Sequence, residues 1–272
     1  MDSKTESMLK VDYNDLIAVW FSCGAASAVA AKKTIEKYRD RCFIRIVNSP
    51  IAEEDEDNRR FLHDVEKWLG RRIEFAVNKK YESGSAVEVW KDRNYMSGIH
   101  GAPCTEELKK KARYQWENIN NPQWHVLGFT YDEKARHNLF VKGERANVIP
   151  ILIEQGITKK DCFDILEDAG IEPPRVYKLG YPNANCIGCV KATSPTYWNH
   201  VRQQHPNVFA ERAKQSREIG ARLVRVKGKR LFLDELPPDA KGRSMKNMDF
   251  ECGIFCGEWN SKKFTEQLKQ QK

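Results

Sequence analysis

The chain has 272 residues, of which 40% are hydrophobic and 31% are charged, and its formal net charge is +8. This composition is typical of a globular protein and excludes a disordered chain, while the length allows one large α/β domain with a subdomain or two small domains. No stretch approaches the ~20 apolar residues that span a bilayer, and the polar, acidic start lacks the features of a secretory leader, so we expect a cytoplasmic protein with no membrane partner.

The first half alternates strand and helix patterns. Leu16–Phe21 is an apolar run typical of a buried parallel strand, and a helix is predicted over Ala28–Tyr38. The elements that follow are a strand at Cys42–Val47, a helix at Asn58–Leu69, a strand at Ile73–Val77, a helical stretch at Glu106–Glu117 and a strand at Trp124–Phe129. This alternation predicts an α/β fold with a doubly wound, mainly parallel sheet.

The second half predicts helices, a loop and a hairpin. Thr158 to Asp161 form a capping box that opens a helix ending at Gly170, and Lys178–Ala192 is a loop. Ser194 and Pro195 begin a helix that is expected to run to about Gly220. Leu223–Val226 and Arg230–Leu233 flank a Lys-Gly-Lys turn, which indicates a β-hairpin.

The loop Ser22-Cys23-Gly24-Ala25-Ala26-Ser27 lies between the first strand and the first helix. Its small residues let the backbone approach a phosphate, the helix N-terminus supplies unbonded N–H groups, and the two serines add hydroxyls. The same residues also occur in ordinary tight turns between a strand and a helix. The loop is therefore either an anion-binding site or a plain connection.

Net positive charge suits anionic partners, such as nucleotide phosphates, sulfate esters or a nucleic-acid backbone. Between Tyr197 and Arg230 there are nine Lys or Arg residues against two Glu residues. This region is either a phosphate-binding stripe or a solvated helix face.

Four motifs follow one another across roughly residues 15–192. The first is the loop from Ser22 to Ser27, and the second is Asn48-Ser49 with the acidic run after it. The third extends from Gly128 to Arg136, and the fourth from Leu179 to Cys189.

Together, these motifs resemble the PAPS reductase family of the PP-loop (adenine nucleotide alpha-hydrolase-like) superfamily. The first resembles the family's Ser-Gly-Gly-x-Asp-Ser, with Cys23 and Ala26 as departures. The second resembles the second-strand motif, with Asn48 where the family has aspartate. The third resembles Gly-x-Arg-x-x-Glu-x-x-Arg, with Thr130 in place of the first arginine, and the fourth resembles the approach to the Cys-x-x-Cys of iron–sulfur APS reductases.

The resemblance implies which residues bind the nucleotide, which is ATP, PAPS or APS, with Mg²⁺ as an accompanying ion. The nucleotide-binding residues would be Ser22, Cys23, Gly24, Ala25, Ser27, Asn48, Gly128 and Arg136. From their charge alone, Lys109, Lys110 and Arg136 are either phosphate or sulfate contacts or solvated charges.

The chain has eight cysteines. In a reducing compartment they indicate metal or redox chemistry rather than disulfides, and Cys186 and Cys189 have the spacing at which two thiolates bind one metal centre. The resemblance implies that Cys104 and Cys256 complete a [4Fe-4S] cluster and that Cys252, in a Glu-Cys-Gly-Ile segment, is the catalytic nucleophile; Cys256 is alternatively the resolving thiol. The alternative is a structural Zn²⁺ site of Cys186, Cys189, Cys252 and Cys256.

Three functions fit these observations. In the first, the chain is a sulfonucleotide reductase: Cys252 attacks the nucleotide's sulfur and a thioredoxin-like reductant releases sulfite. In the second, it adenylates and thiolates a base of tRNA or DNA. In the third, it is a non-catalytic, zinc-stabilised protein that binds nucleotide or nucleic acid. We expect residues 1–14 to be a polar lead, 15–180 a PP-loop nucleotide-binding domain, 181–259 a cysteine-rich subdomain that binds the metal or cluster, and 260–272 a polar tail.

Overall fold

The computed structural model describes residues 10–98 and 101–245. The strands are β1 (Leu16–Trp20), β2 (Phe43–Asn48), β3 (Ile73–Phe75), β4 (Trp124–Val126), β5 (Val148–Ile149), β6 (Val224–Val226) and β7 (Lys229–Leu231). The α-helices are α1 (Ala25–Tyr38), α2 (Asp57–Leu69), α3 (Ala86–Arg93), α4 (Ala112–Asn120), α5 (Lys134–Gly143), α6 (Ile151–Glu154), α7 (Lys159–Asp168), α8 (Arg175–Lys178), α9 (Pro195–Gln204) and α10 (Pro206–Ile219). A π-helix, Thr105–Lys111, precedes α4. None of the described helices is long and apolar enough to cross a membrane.

Five strands form one parallel sheet in the order β3-β2-β1-β4-β5. The prediction of a doubly wound, parallel α/β sheet is therefore confirmed. After β1 the chain adds strands on one side, and from β4 it adds them on the other. In such sheets ligands bind at the carboxyl ends of the strands where the order reverses, which here are the ends of β1 and β4.

The described chain divides into two compact units, each assembled from separate segments. The first includes the residues up to Ser49, Asp57–Ala76 and Tyr114–Pro174, and the second includes Pro50–Glu56, Val77–Arg113 and the residues from Arg175 onward. The two units are interleaved along the chain, because Ile51, Tyr81 and Trp90 from early segments join the hydrophobic cluster of the second unit. The domain boundaries expected at 14, 180 and 259 stay predictions.

The core of the first unit is centred on β1 and α1. Ile17 and Val19 are buried in the sheet, and the alanine-rich face of α1, including Ala28 and Ala31, is fully buried. Small side chains let α1 approach the sheet closely, and it packs against β1, β2 and β4 as well as α2, α6 and α7. The capping box predicted at Thr158 and Asp161 is confirmed, with Asp161 accepting a bond from the Thr158 N–H (2.8 Å).

The second unit contains α9, α10 and the antiparallel pair β6–β7. The hairpin predicted around Lys227 and Gly228 is confirmed, and both turn residues have positive φ, 46° and 83°. The expectation of one helix from Ser194 to Gly220 is wrong. Helix α9 ends at Gln204 and α10 begins at Pro206. Pro206 has no N–H to continue α9, and the residue before a proline is driven out of the helical region, which is where His205 lies (φ −139°, ψ 66°).

Phe61 provides a test of the first core. Its ring is fully buried and lies 6.0 Å from the ring of Phe21, at the end of β1. We expect Phe61→Ala to lower the free energy of unfolding by about 3–5 kcal/mol, because it removes buried apolar area and leaves a cavity. Denaturant unfolding measures the change. The control is Phe75→Ala, whose side chain is 56% exposed; equal losses in the two variants would contradict the assignment of this core.

Candidate functional site

The loop between β1 and α1 is held by its two serines. The Ser22 backbone N–H donates to Ser27 Oγ (3.1 Å), and the Ser27 hydroxyl donates to the Gly24 carbonyl (2.8 Å). Cys23 is buried with a φ of 55°, the left-handed conformation that glycine adopts without strain. The backbone at Cys23 therefore has the conformation that a glycine would supply.

The N-terminus of α1 has no side-chain cap. Gly24 is the N-cap residue, and among the described residues no acceptor bonds the N–H groups of Ala25, Ala26 and Ser27. Unbonded N–H groups and the helix dipole give such an end a partial positive charge. This end of α1 can bind an anion such as a phosphate group.

Gly128, two residues after β4, approaches the start of α1. A Cβ built on Gly128 would lie 2.9 Å from the backbone nitrogen of Ser27 and 3.1 Å from the carbonyl carbon of Ala26. Real Cβ atoms do not come this close to backbone, so any other residue would push the segments apart. The segment after β4 therefore meets the first turn of α1 at the point where the strand order reverses.

Asn48 and Ser49 border the same loop from the end of β2. The Asn48 amide donates to the Phe21 carbonyl (2.8 Å) and lies 3.6 Å from Cys23 Sγ. An aspartate could not donate this bond when ionised, so asparagine is the residue that this contact requires. Ser49 is buried, and its hydroxyl has no partner among the described residues. A buried hydroxyl without a partner is a donor available to a ligand.

Arg136 lies on α5 and is held by its neighbours. Its guanidinium bonds Glu133 and lies 5.2 Å from the ring of Phe129, the residue after Gly128. Thr130 is buried at the start of a short 3-10 turn and exchanges bonds with Glu133. The structure thus brings together Ser22, Cys23, Ser27, Asn48 and Gly128, and connects Arg136 to them through Phe129.

The cysteines of the described second unit share one hydrophobic cluster. Cys189 is buried in the cluster, while Cys104 and Cys186 are half-buried and pack against it. The Cys189 N–H donates to the Tyr197 hydroxyl (2.8 Å), and the Ile187 N–H donates to the Glu53 carbonyl (3.0 Å). Burial, followed by the charge of Cys189, raises the pKa of Tyr197 well above its usual value. The Cys186–Cys189 turn is therefore fixed at its backbone and lined by apolar groups.

Arg212 is a buried cation beside this turn. A Cβ on Gly188, whose φ is 68°, would lie 3.2 Å from Arg212 Cγ and 3.2 Å from Val208 Cγ1. The guanidinium lies 4.7 Å from the Trp90 ring and bonds Gln215 (2.6 Å), and no carboxylate among the described residues pairs with it. A buried cation of this kind stabilises negative charge nearby, such as that of cysteine thiolates.

The donor chemistry of the Cys186–Cys189 turn fits a thiolate-bound metal centre. The turn carries two cysteine sulfurs, its surroundings are apolar, and the Arg212 cation lies beside it. Within residues 10–98 and 101–245, no group of three or more His, Cys, Asp or Glu side chains is arranged to hold a metal ion. Cys252 and Cys256 lie outside the described residues, so their roles as nucleophile and ligand stay predictions, as does the role of Cys104.

Lys109 and Lys110 belong to the π-helix in the second unit. Lys109 is buried and its ammonium lies 3.6 Å from Glu54, while the Lys110 ammonium lies 3.4 Å from Glu106. Both cations thus face carboxylates in this structure, and their contact with phosphate or sulfate stays a prediction.

Sequence analysis missed the parts of these sites that depend on distant chain segments. Nothing near Cys186 in the sequence indicates that Glu53, Tyr197 and Arg212 contact its turn. The glycine in the Cys-x-x-Cys segment was the one available signal, because its positive φ and close contact with α10 both require glycine.

Comparison with known proteins finds likenesses among solved structures. No protein-family model matches the chain, and no curated protein matches it. Among solved structures, it is similar to the U34-tRNA thiolase NcsA from Methanococcus maripaludis with its [4Fe-4S] cluster. The identity is 12%, the TM-score is 0.44, and the match covers 77% of this chain and 73% of that chain. A likeness at this level does not establish a shared function.

Asn48 is tested by Asn48→Asp. We expect a loss of about 1–3 kcal/mol in unfolding free energy at pH 7, because the buried carboxylate cannot donate to the Phe21 carbonyl. The folded state raises the pKa of this carboxyl, so the loss should shrink as the pH falls and the protonated acid donates again. Thermal unfolding between pH 7 and pH 5 measures this trend, with the exposed Asn14→Asp as control. A loss that did not change with pH would contradict the hydrogen-bond assignment.

The turn between Cys186 and Cys189 is tested by Gly188→Ala. The variant should lower the metal bound per chain several-fold, because the methyl group meets α10 and moves the two sulfurs. Gly220→Ala is the matched control, since its φ of 77° gives the same backbone strain, about 1–2 kcal/mol, with no atom within 4 Å of the added Cβ. Iron and zinc analysis measures the result, and equal metal contents in the two variants would exclude a role for the turn geometry.

Proposed function

We propose that this protein is a PP-loop enzyme that binds an adenine nucleotide and performs cysteine-dependent sulfur chemistry, with sulfonucleotide reduction as the reaction. The observation that carries the proposal is the contact between Gly128 and the Ala26–Ser27 peptide at the reversal point of the sheet. This contact brings the uncapped N-terminus of α1, the hydroxyls of Ser22 and Ser27, and the glycine after β4 to one position.

The residues of the loop have separable tasks in this proposal. The N–H groups of Ala25, Ala26 and Ser27 bind the phosphate or sulfate oxygens, and the dipole of α1 stabilises their negative charge. The unpartnered hydroxyl of Ser49 supplies a further donor. Ser27 acts mainly through the loop, because its hydroxyl already bonds Gly24 and accepts from Ser22. Gly128 lets the segment after β4 approach the first turn of α1.

In this proposal the cysteines carry out the sulfur chemistry. In the proposed reaction the Cys252 thiolate attacks the sulfur of PAPS or APS, a sulfur–sulfur bond forms, and the sulfur–oxygen bond to the nucleotide breaks, releasing the nucleoside phosphate. A dithiol reductant of the thioredoxin type then attacks the Cys252 sulfur, is oxidised to a disulfide and releases sulfite.

The other cysteines would hold a [4Fe-4S] centre or Zn²⁺, namely Cys104, Cys186, Cys189 and Cys256. A bound cluster would supply iron that can polarise sulfur or its oxygens. Arg212 stabilises the negative charge of the thiolates there.

Thiolation of a tRNA or DNA base is a second candidate, and one specific observation favours it. The hairpin β6–β7 is strongly basic and its backbone is bonded to the segment that follows Cys189, through the Arg225 N–H and the Thr193 carbonyl (2.8 Å). This enzyme would use ATP rather than PAPS or APS, so the nucleotide distinguishes the two reactions.

The test is equilibrium binding of ATP, APS and PAPS, with GTP as the specificity control. Ser27→Ala should weaken adenine-nucleotide binding about tenfold or more, since losing the bonds to Ser22 and Gly24 disorders the loop, at roughly 1–2 kcal/mol. Ser216→Ala is the matched control, because Ser216 is also buried and also donates to the carbonyl three residues earlier (2.8 Å to Ala213).

Product analysis completes the test. If the reaction is sulfonucleotide reduction, anaerobically purified protein with reductant and PAPS or APS should release sulfite. If it is thiolation, the protein with ATP, inorganic sulfide as the sulfur donor and a nucleic-acid substrate should instead yield a thiolated base. Metal analysis and the visible spectrum identify the centre: a band near ~400 nm with about four iron atoms per chain indicates the cluster. Failure to bind any adenine nucleotide, with wild type and Ser216→Ala alike, would sink the proposal.

A further inference from the structure

The hairpin β6–β7 concentrates positive charge on its surface. Residues 222–233 contain no acidic residue. Their cations are all exposed: Arg222, Arg225, Lys227, Lys229 and Arg230. We refer to these five side chains as the basic hairpin.

The described part of the chain does not neutralise the basic hairpin. None of its five cations forms an ion pair with a described carboxylate. The acids that follow it, Asp234 and Glu235, are bonded to Arg217 on α10 at 2.8–3.0 Å. The Arg230 guanidinium donates to the carbonyls of Arg222 and Leu223 (3.4 and 3.3 Å), and the Arg222 guanidinium lies 5.2 Å from the Phe232 ring. Within the described residues, no carboxylate therefore neutralises the charge of the hairpin.

The pairing of the strands makes this charge unfavourable for the hairpin itself. Arg225 lies directly opposite Arg230, and Val226 lies opposite Lys229. Like charges at directly opposed positions destabilise a two-stranded ribbon, where opposite charges would stabilise it. Burial, followed by the charge of Arg225, lowers the pKa of the Arg230 guanidinium, so the two arginines repel each other. An anion bound between them would remove this repulsion.

An exposed aromatic ring of the second unit interacts electrostatically with the basic hairpin. Tyr95, in the segment after α3, is 40% exposed, and its charge is the smallest of the causes that act on the pKa of Arg230. Cations beside an exposed ring are the combination by which proteins bind single-stranded nucleic acid, because the cations contact phosphates and the ring stacks on a base.

The basic hairpin is fixed to the cysteine turn within the second unit. Leu223 and Val224 are buried in the hydrophobic cluster that contains Cys189. The Arg225 N–H bonds Thr193, four residues beyond Cys189. A strand bound on the hairpin is therefore held at a constant position relative to this turn.

We propose that the basic hairpin binds the phosphodiester backbone of a single-stranded stretch of nucleic acid, with Tyr95 stacking on a base. Binding at the basic hairpin requires neither the nucleotide nor the metal centre. The nucleic-acid surface and the nucleotide site can therefore each be disproved independently of the other.

Fluorescence anisotropy with labelled oligonucleotides of about 20 nucleotides tests the proposal, using single-stranded RNA, single-stranded DNA and the matching duplex from 50 to 300 mM salt. We expect the purified full chain to bind the single strands more tightly than the duplex. Arg225→Gln/Arg230→Gln should weaken binding at least tenfold and reduce the salt slope by roughly 1.4, since each phosphate contact on a single strand contributes about 0.7. Tyr95→Ala should weaken binding with no change in the slope.

The matched control is Arg71→Gln/Arg72→Gln, which removes two exposed arginines from the first unit. It should leave affinity and slope near those of wild type. Equal losses in the two double variants would show an effect of net charge alone and would overturn the proposal. Tighter binding of the duplex, or equal competition by poly-glutamate, would also overturn it.

A second variant separates binding from stability. Arg225→Glu places an acid opposite Arg230, so it should keep or raise the melting temperature while weakening the affinity for single strands at least tenfold. A lower melting temperature with unchanged affinity would show that the arginines serve the fold and would falsify a binding role. Adenine-nucleotide affinity should be unchanged in this variant, which distinguishes failure of this surface from failure of the nucleotide site.

Discussion

The close approach of Gly128 to the first turn of α1 is the contact on which the candidate nucleotide site depends. It requires β4 to lie beside β1, α1 to lie close to the sheet, and the second residue after β4 to have no side chain. The buried alanines of α1 meet the second requirement, and the reversal of strand order meets the first. When these three requirements are met, the N-terminus of α1, the carboxyl ends of β1 and β4, and the loop serines lie together within the first unit.

Three of the positions at which the sequence departs from the motifs that it resembles have local roles in the structure. Cys23 has a left-handed backbone, and the Asn48 amide donates a bond that an ionised aspartate could not donate. Thr130 is buried and starts a 3-10 turn. Under the proposed function, this site would bind its nucleotide through backbone groups rather than charged side chains.

The order of the parallel elements could be predicted from sequence because strand and helix patterns are local. β1, α1, α2 and the hairpin all have boundaries within a few residues of those expected. β5, with two residues, is too short to give a pattern, and the break at Pro206 was masked by helical sequence on both sides. The loop from Ser22 to Ser27 could be singled out as a candidate site because its residues are continuous in the sequence. The surroundings of the cysteine turn could not be predicted, because Glu53, Tyr197 and Arg212 come from separate segments, and contacts over such separations leave no local signal.

The interleaving of the two units has a consequence for how this chain can change over time. The described chain passes from one unit to the other after Ser49, Glu56, Ala76, Arg113 and Pro174. No single cut or fusion point yields either unit whole, so recombination cannot exchange one of them for a homologous module as it does with tandem domains. The nucleotide loop and the cysteine turn are therefore inherited as one block, and new specificity has to arise by substitution within it or at exposed additions such as the basic hairpin.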